Sequence, residues 1–459
     1  MLSFFSLRIP KRLLWLLAGG LLLRLLYLLA FWDHALQGDA AWYVADADKL
    51  LRGEAYAPYW PPGLPLLIAA VGGCLEALGI ANALLKGGVL AMLLYFFACS
   101  LLLYQLTARL SSQRVAWWVV LVFCLYPAFI HHSVVPLTQL PAALYLLAVP
   151  ACWLAYIRQK QPGYLLLMGL CWGLLILTRP AALAALLACV LWMVWAKRPS
   201  EAAASLKNRL KEVLLVCLLP VLLLGGWEAK VYEMTGRVVW INEANSKNFF
   251  IGNNPWTPCY KSWWLGSQDE RANPRFSGYY AERARIQALP AREQNQAWSR
   301  AAWQHIRQQP ALFVWRTLSR LRTFWAFDTF AAGSWWPQHR WLALLLLAAD
   351  AAAYLLLAFS ALAGLWVRPA LPYSSLLGVL VAGYTLPYLL AFSHPNYHLP
   401  LMPLLALFAA HCWQHCGLSG QAWRQFVRQR KPGFWLAAAL LLFIQLEWVW
   451  HRWMQLVQG

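Results

Sequence analysis

The chain has 459 residues, is 61% hydrophobic and 12% charged, and carries a formal net charge of +20. So apolar a composition excludes an ordinary soluble globular domain and fits a polytopic helical membrane protein. The cations fall in short loops between apolar runs, where membrane topology and anionic headgroups account for them, so the charge does not point to a nucleic-acid partner.

The first apolar run, 13–32, follows Arg8, Lys11 and Arg12, which places the N-terminus inside. Its length, its Arg24 and the lack of a small-x-small site after it argue against a cleaved signal. Next comes GDAAWYVADADKLLRGEAYAPYWPPGLP, with Asp39, Asp46 and Asp48 in a segment expected on the outer surface. Acidic groups at membrane depth are costly and are functional candidates by default. The 3.6-residue period puts Asp39, Tyr43, Asp46 and Leu50 on one face of a short helix over 39–53. The segment 62–79 is apolar but carries prolines at its start, a Gly-Gly pair and Glu76, and reads as an interfacial or re-entrant helix.

Further spans are expected at 83–107, 115–132, 137–156, 164–177, 180–195, 213–231, 341–367, 372–392, 397–415 and 434–453, about eleven crossings with the first run. No period-2 alternation favours a barrel. Arg109, Arg114, Arg158, Lys160, the basic residues of 197–211, Arg368 and those of 424–431 then fall inside, as the positive-inside rule asks. Three divisions follow: a core at 1–232 with its first outer loop at 33–82, a long polar outer loop at 233–340, and late spans at 341–459. The long loop ends in a helix alternating apolar residues with Arg316, Arg320 and Arg322, as in a helix lying on a membrane.

Most of the ten cysteines sit inside apolar runs as small hydrophobes, and no disulfide framework is visible. HCWQHC at 411–416 has i, i+4 spacing that a metal could use, but it reads first as an ordinary helix end. Asp46 and Asp48 could share a divalent ion, yet side chains two apart on a helix diverge.

Asp39 suits two roles, N-cap of the helix it begins and poised proton acceptor, and Asp46 could share either. Lys86 at the outer end of a span and Arg179 in a Thr-Arg-Pro turn have no evident reason to lie outside unless a phosphate is held there; snorkelling and helix-end capping are the plainer readings. The turn SHPNYHLP brings His394, Tyr397 and His398 to the same side, and His131 with His132 occupies a similar position. No Gly-rich nucleotide loop, GxSxG or HExxH occurs, so an enzyme here must take an activated donor from the membrane.

Asp39, Tyr43, Ala47, Leu50 and Gly53, followed by Pro61-Pro62-Gly63 and Pro65, resemble the first outer loop of GT-C glycosyltransferases, nearest the protein O-mannosyltransferases and the lipid A aminoarabinose transferases. Leu125-Tyr126-Pro127, Thr178-Arg179-Pro180, Gly252-Asn253-Asn254-Pro255, the Gln309-Pro310 helix running to Trp325, and Asn396-Tyr397-His398-Leu399-Pro400 echo the same superfamily in order. Ala40, Gln139 and Trp60 depart from it, standing where many relatives have acidic residues or, at Trp60, a Lys. The resemblance implies an all-α GT-C bundle with interfacial helices in the first outer loop. It also implies a polyprenyl-phosphate sugar donor and an active site on the periplasmic or luminal face of the plasma membrane, with Asp39 catalytic. Tyr43, Tyr59 and Trp60, with Asn253 and Asn254 of the long loop, are then the expected substrate-loop residues.

The expectation is an inverting hexosyl- or pentosyltransferase. Asp39, with Asp46, would serve a hydroxyl acceptor on a glycolipid, polysaccharide or protein. Lys86, Arg179, His394, Tyr397 and His398 would be candidates for the donor phosphate, and no metal or other cofactor is required. A polymerase or ligase using diphosphate-linked oligosaccharides and a lipid-linked-sugar transporter are the alternatives.

Overall fold

The computed structural model describes residues 9–34, 38–54, 58–196, 205–259, 265, 274–416 and 432–458. The basic stretch 424–431 and the start of 197–211 lie outside the described residues. The described elements are helical, with no strand among them. In chain order the helices are α1 (Lys11–Phe31), α2 (Asp39–Arg52), α3 (Gly63–Ala77), α4 (Ala83–Leu110), α5 (Gln113–Leu125), α6 (Pro127–His132), α7 (Gln139–Gln159), α8 (Gly163–Thr178), α9 (Ala182–Trp195) and α10 (Leu206–Thr235). They continue with α11 (Ala244–Gly252), α12 (Ser277–Gln287), α13 (Ala291–Gln308), α14 (Pro310–Phe324), α15 (Phe330–Trp335), α16 (Arg340–Trp366), α17 (Ser374–Leu390), a 3₁₀ turn (Pro395–Leu401), α18 (Met402–Cys416) and α19 (Pro432–Gln458).

Six of these, α1, α4, α7, α10, α16 and α19, are long and apolar enough to cross a membrane. Leu214, Val221 and Leu222 on α10, Leu345 on α16 and Leu436 on α19 stay exposed. Water does not tolerate so much contiguous hydrocarbon, and lipid does. Helices α3, α5, α8, α9 and α17 are apolar but shorter. The 15 residues of α3 reach only about 22 Å.

Two expected spans are interrupted. The run 115–132 breaks at Tyr126, because Pro127 has no N–H to continue α5 and instead opens α6. The run 397–415 begins as the 3₁₀ turn, held by Pro395 and Pro400, before α18 starts. The helix expected over 39–53 is α2; Gly53 ends it in the left-handed conformation at φ +66°, with Glu54 N–H donating to Lys49 O at 2.9 Å.

The core lies among α4, α5, α7, α8, α9, α16, α17 and α18, around wholly buried Trp153, Trp172, Tyr354 and Tyr384. A second cluster joins α2, α3, α4, α15 and the start of α16 through Tyr43, Leu64, Ile68, Met92, Trp335 and Ala343. A third holds the long loop together around Phe250, Tyr279 and Trp298.

The arginines of α14 do not lie where a surface helix would put them. Arg316 and Arg320 are buried, while Val314, Trp315 and Leu318 on the same helix are exposed. Arg316 donates to Asn254 O at 2.7 Å and to Thr257 O. Arg320 donates to Leu389 O at 3.0 Å, to Leu390 O at 3.1 Å and to Gly252 O. The apolar face is turned outward; Arg316 braces the long loop on itself and Arg320 staples it to the end of α17. Five N–H donors in a planar fork suit Arg to that work.

Candidate active site

The site is assembled by tight turns. Thr178 ends α8, and Pro180 cannot continue it, so Arg179 takes an extended conformation with its N–H on Leu175 O at 2.7 Å. Its side chain turns into the protein. The start of α3 packs on this turn at Gly63, where a Cβ would stand 2.6 Å from Thr178 Oγ1 and 2.9 Å from the Thr178 backbone nitrogen. Only glycine lets the two backbones approach so closely.

Arg179 is the centre of the cluster. It is 8% exposed. One terminal nitrogen donates to the Tyr388 hydroxyl at 3.2 Å, and the guanidinium lies 5.3 Å from the centre of the Tyr397 ring, in cation–π range. Its Nε is buried without a hydrogen-bond partner among the described residues. Tyr384 and Tyr388 stand one turn apart on α17 with their hydroxyls 3.4 Å from each other.

Asp39 is the first residue of α2, and Gly38, at φ +59°, occupies the cap position before it. The carboxylate makes no capping hydrogen bond among the described residues. By surface area Asp39 is exposed, while the protein crowded round it raises its carboxyl above the ordinary range and the Arg179 cation opposes that rise. The two facts describe a group at the mouth of a recess shared with Arg179, Tyr43 and Tyr397. No direct ion pair joins it to Arg179; the two act through space. Between them stands Tyr43, buried, hydrogen-bonded to Thr138 and ring-packed on Trp60 at 5.7 Å. Burial, with Asp39 close by, raises the Tyr43 phenol, so it stays a neutral donor.

Of the other expected residues, Tyr397 and His394 join this cluster. Their rings are 5.8 Å apart, and His394 Nδ1 accepts from Asn396 N–H at 3.2 Å to cap the 3₁₀ turn. His398 faces away: its Nδ1–H donates to Phe324 O at 2.8 Å and its ring lies against Trp325 and Tyr354. Lys86 sits half-buried in the first turn of α4 and enters none of the interactions of Asp39, Arg179 or Tyr397. Asp46 is buried on the same face of α2 as Tyr43 and pairs with Lys49 at 3.8 Å. Asp48 points out to Arg52 at 2.9 Å, so the two carboxylates diverge.

Asn253 and Asn254 are buried, and their amides are engaged within the chain. Asn253 Nδ2 donates to Phe249 O and Leu390 O, both at 3.0 Å, and its Oδ1 accepts from Arg320. Asn254 donates to Phe250 O at 2.8 Å and accepts from Trp256 and Thr257 N–H, each at 2.9 Å. Asn253 is a strut that ties the long loop to α17, and Asn254 braces the turn within the loop. Tyr59 links the 33–82 loop to the 233–340 loop: its carbonyl accepts from Ala244 N–H and its hydroxyl from Lys247 Nζ at 3.1 Å.

The sequence reading passed over Lys247, Thr138, Tyr384 and Tyr388 and gave His132 little weight. The Tyr384–Tyr388 pair at i, i+4 just before SHPNYHLP was the one legible signal among them. No group of three or more His, Cys, Asp or Glu placed to hold a metal occurs among the described residues. In HCWQHC, His411 donates to Pro369 O, His415 to His411 O, and the two sulfurs stand 3.9 Å apart, as at a packed helix end.

Away from this cluster, a cavity of about 640 Å³ opens between α14, α16, α17, α18 and α19, lined almost wholly by apolar groups such as Leu321, Ala358, Val381, Leu405 and Leu441. Its α17 wall, Val381 to Leu389, is the next face round from Tyr384 and Tyr388.

No protein-family model matches the chain, and no curated protein matches it. Among solved structures it is similar to the oligosaccharyltransferase of Archaeoglobus fulgidus. Against AglB in complex with an inhibitory peptide and a dolichol-phosphate, identity is 13% and the TM-score 0.48, covering 94% of this chain and 54% of that one. Against the apo form the values are 15%, 0.49, 94% and 54%. Against the complex with Zn and sulfate they are 12%, 0.38, 93% and 57%. The chain spans about half the length of these solved chains.

Proposed function

We propose that the chain is an integral-membrane, inverting glycosyltransferase that moves one sugar from a polyprenyl-phosphate donor to a hydroxyl acceptor. The observation that carries this reading is the convergence of Asp39 and Arg179 on Tyr43 and Tyr397. A carboxylate whose pKa is raised above the ordinary carboxylate range is a stronger base than an exposed one. A buried arginine with an unpartnered Nε is suited to a phosphoryl oxygen.

In this scheme the acceptor oxygen attacks the anomeric carbon as Asp39 takes its proton. The bond from that carbon to the phosphate oxygen breaks, and the phosphate leaves with the electron pair beside Arg179. One displacement inverts the anomeric centre. A fixed cation can stabilise the leaving group, so the scheme requires no metal. Asp46, buried on the same face of α2 as Tyr43, would be the second carboxylate available to the acceptor side. Tyr397 and His394 complete the phosphate side, and Tyr59 and Trp60 with Asn253 and Asn254 enclose it. The apolar cavity offers room for hydrocarbon of a lipid carrier.

The topology that goes with this reading has about eleven crossings, the N-terminus cytoplasmic and α2 on the extracytoplasmic face of the plasma membrane. The test is transfer by the purified full chain from a radiolabelled polyprenyl-phosphate sugar pool, with membrane extract supplying acceptors. Transfer by the wild type that is lost in Asp39→Asn, with donor binding retained, supports the scheme. Equal transfer by both removes Asp39 from the chemistry. Transfer from a diphosphate-linked donor alone replaces this donor class with the other.

A further inference from the structure

His132 ends α6 and is wholly buried, yet neither of its ring nitrogens has a hydrogen-bond partner among the described residues. Its neighbours fix its place. The ring stacks on Phe330 at 5.9 Å, and His394 meets the same phenyl edge-on at 6.5 Å. Arg179 and His394 both bear on it electrostatically. His394 packs on Tyr397, over which the Arg179 guanidinium lies. His132 therefore belongs to the Arg179 side of the recess.

Its sequence neighbour is used differently. His131 Nδ1 is 2.8 Å from the Tyr27 hydroxyl, which itself accepts from Trp335 Nε1 at 2.7 Å. Tyr27 thus has its proton for His131, and that ring is part of the wall. His132 has no such strut.

A buried polar group left unpaired is costly, and a folded chain keeps one where something else completes it. Burial beside a cation favours the neutral ring, which presents one donor and one acceptor. A phosphoryl oxygen accepts only, so it satisfies half of such a ring; hydroxyls both donate and accept. Arg179 Nε is the reverse case, a lone donor suited to phosphate. Resting on the reading above, we propose that His132 is a specificity-determining residue that reads hydroxyls of the transferred sugar while Arg179 holds the adjoining phosphate.

The test compares binding of farnesyl phosphate with that of farnesyl phosphate carrying single pentoses and hexoses, together with their deoxy derivatives. The full chain is used in nanodiscs. The wild type is expected to bind at least one glycoside roughly tenfold more tightly than farnesyl phosphate, the worth of about one buried hydrogen bond. His132→Phe, which keeps the stack on Phe330, should erase that preference and leave farnesyl phosphate affinity within about twofold, while Arg179→Gln weakens both ligands. His132→Gln retains one donor and one acceptor and should keep part of the preference; it also serves if the Phe variant does not fold, because the deoxy sugar most penalised by the wild type must then change. A preference that survives in both His132 variants, or a wild type for which no glycoside outranks farnesyl phosphate, overturns the assignment and leaves the lipid-phosphate reading standing. A wild type that binds neither ligand overturns that reading too.

Discussion

Gly63→Ala is a small change with a calculable consequence. The new methyl would stand 2.6 Å from Thr178 Oγ1 and 2.9 Å from both the Leu177 carbonyl carbon and the Thr178 nitrogen. Contacts between such atoms settle near 3.5 Å or beyond. The hydroxyl cannot simply swing away, because it donates to Leu174 O at 2.7 Å, and the other two atoms are backbone. Helix α3 must therefore back off from the end of α8 by about half an ångström or more, at the ~1–3 kcal/mol typical of overpacking. Arg179 is the next residue, so the same shift moves the cation, and displacements of about 1 Å in a reacting site can cost roughly 100-fold in rate. We expect a Tm lower by a few degrees and a much larger fall in kcat/KM for transfer from a polyprenyl-phosphate sugar. Thr178→Ala in the same chain should restore part of the loss, since it removes one of the three close contacts. Gly19→Ala, where a Cβ meets nothing within 4 Å, is the control and should match the wild type. Gly63→Ala with unchanged Tm and transfer would refute the argument that this contact positions Arg179.

Asp39→Asn should lower transfer by about 10²–10⁴-fold, the usual range for a lost general base, with farnesyl phosphate binding intact by titration. It should not lower Tm at neutral pH. A carboxyl whose native pKa stands above its unfolded value binds more protons when folded, so it loses stability as pH rises from the ordinary carboxylate range through the raised value, and a neutral amide escapes that loss. For the same reason the acid limb of the kcat/KM profile should lie above the ordinary carboxylate range. In Arg179→Gln it should move higher still, because the opposing cation is gone; a limb that stays put separates the two groups. Arg320→Met leaves the Leu389 and Gly252 carbonyls and Asn253 Oδ1 without the Arg320 donor, while Leu390 O keeps Asn253 Nδ2, a loss of about 2–3 kcal/mol for buried hydrogen bonds to a charged group. Limited proteolysis should then cut the 233–340 loop faster, and an unchanged rate would show that the staple contributes little.

Much of the architecture could be read from the chain. Apolar runs fixed the helices because hydrocarbon length and backbone satisfaction leave few other solutions. Proline and glycine punctuation marked the turns at Thr178–Arg179–Pro180 and at Gly53, since those residues restrict or free the backbone locally. Asp39 and Arg179 were legible as costly charges needing a reason. The sequence could not say which neighbours they meet, because Arg179, Tyr43, Thr138, Tyr388 and Tyr397 come from five separate segments. Nor could it tell that the arginines of α14 face inward, since helical period gives two faces and not which of them is buried. Lys86 and His398 look like equals of Arg179 in one dimension; packing turns His398 onto Phe324 O and leaves Lys86 outside the cluster. His132 is the clearest case. A histidine after an apolar run carries little weight as sequence, and it gains meaning when the fold buries both its nitrogens beside a cation, without a partner among the described residues. Local rules are written in neighbouring residues, whereas unmet hydrogen bonds exist only once distant segments have closed around them.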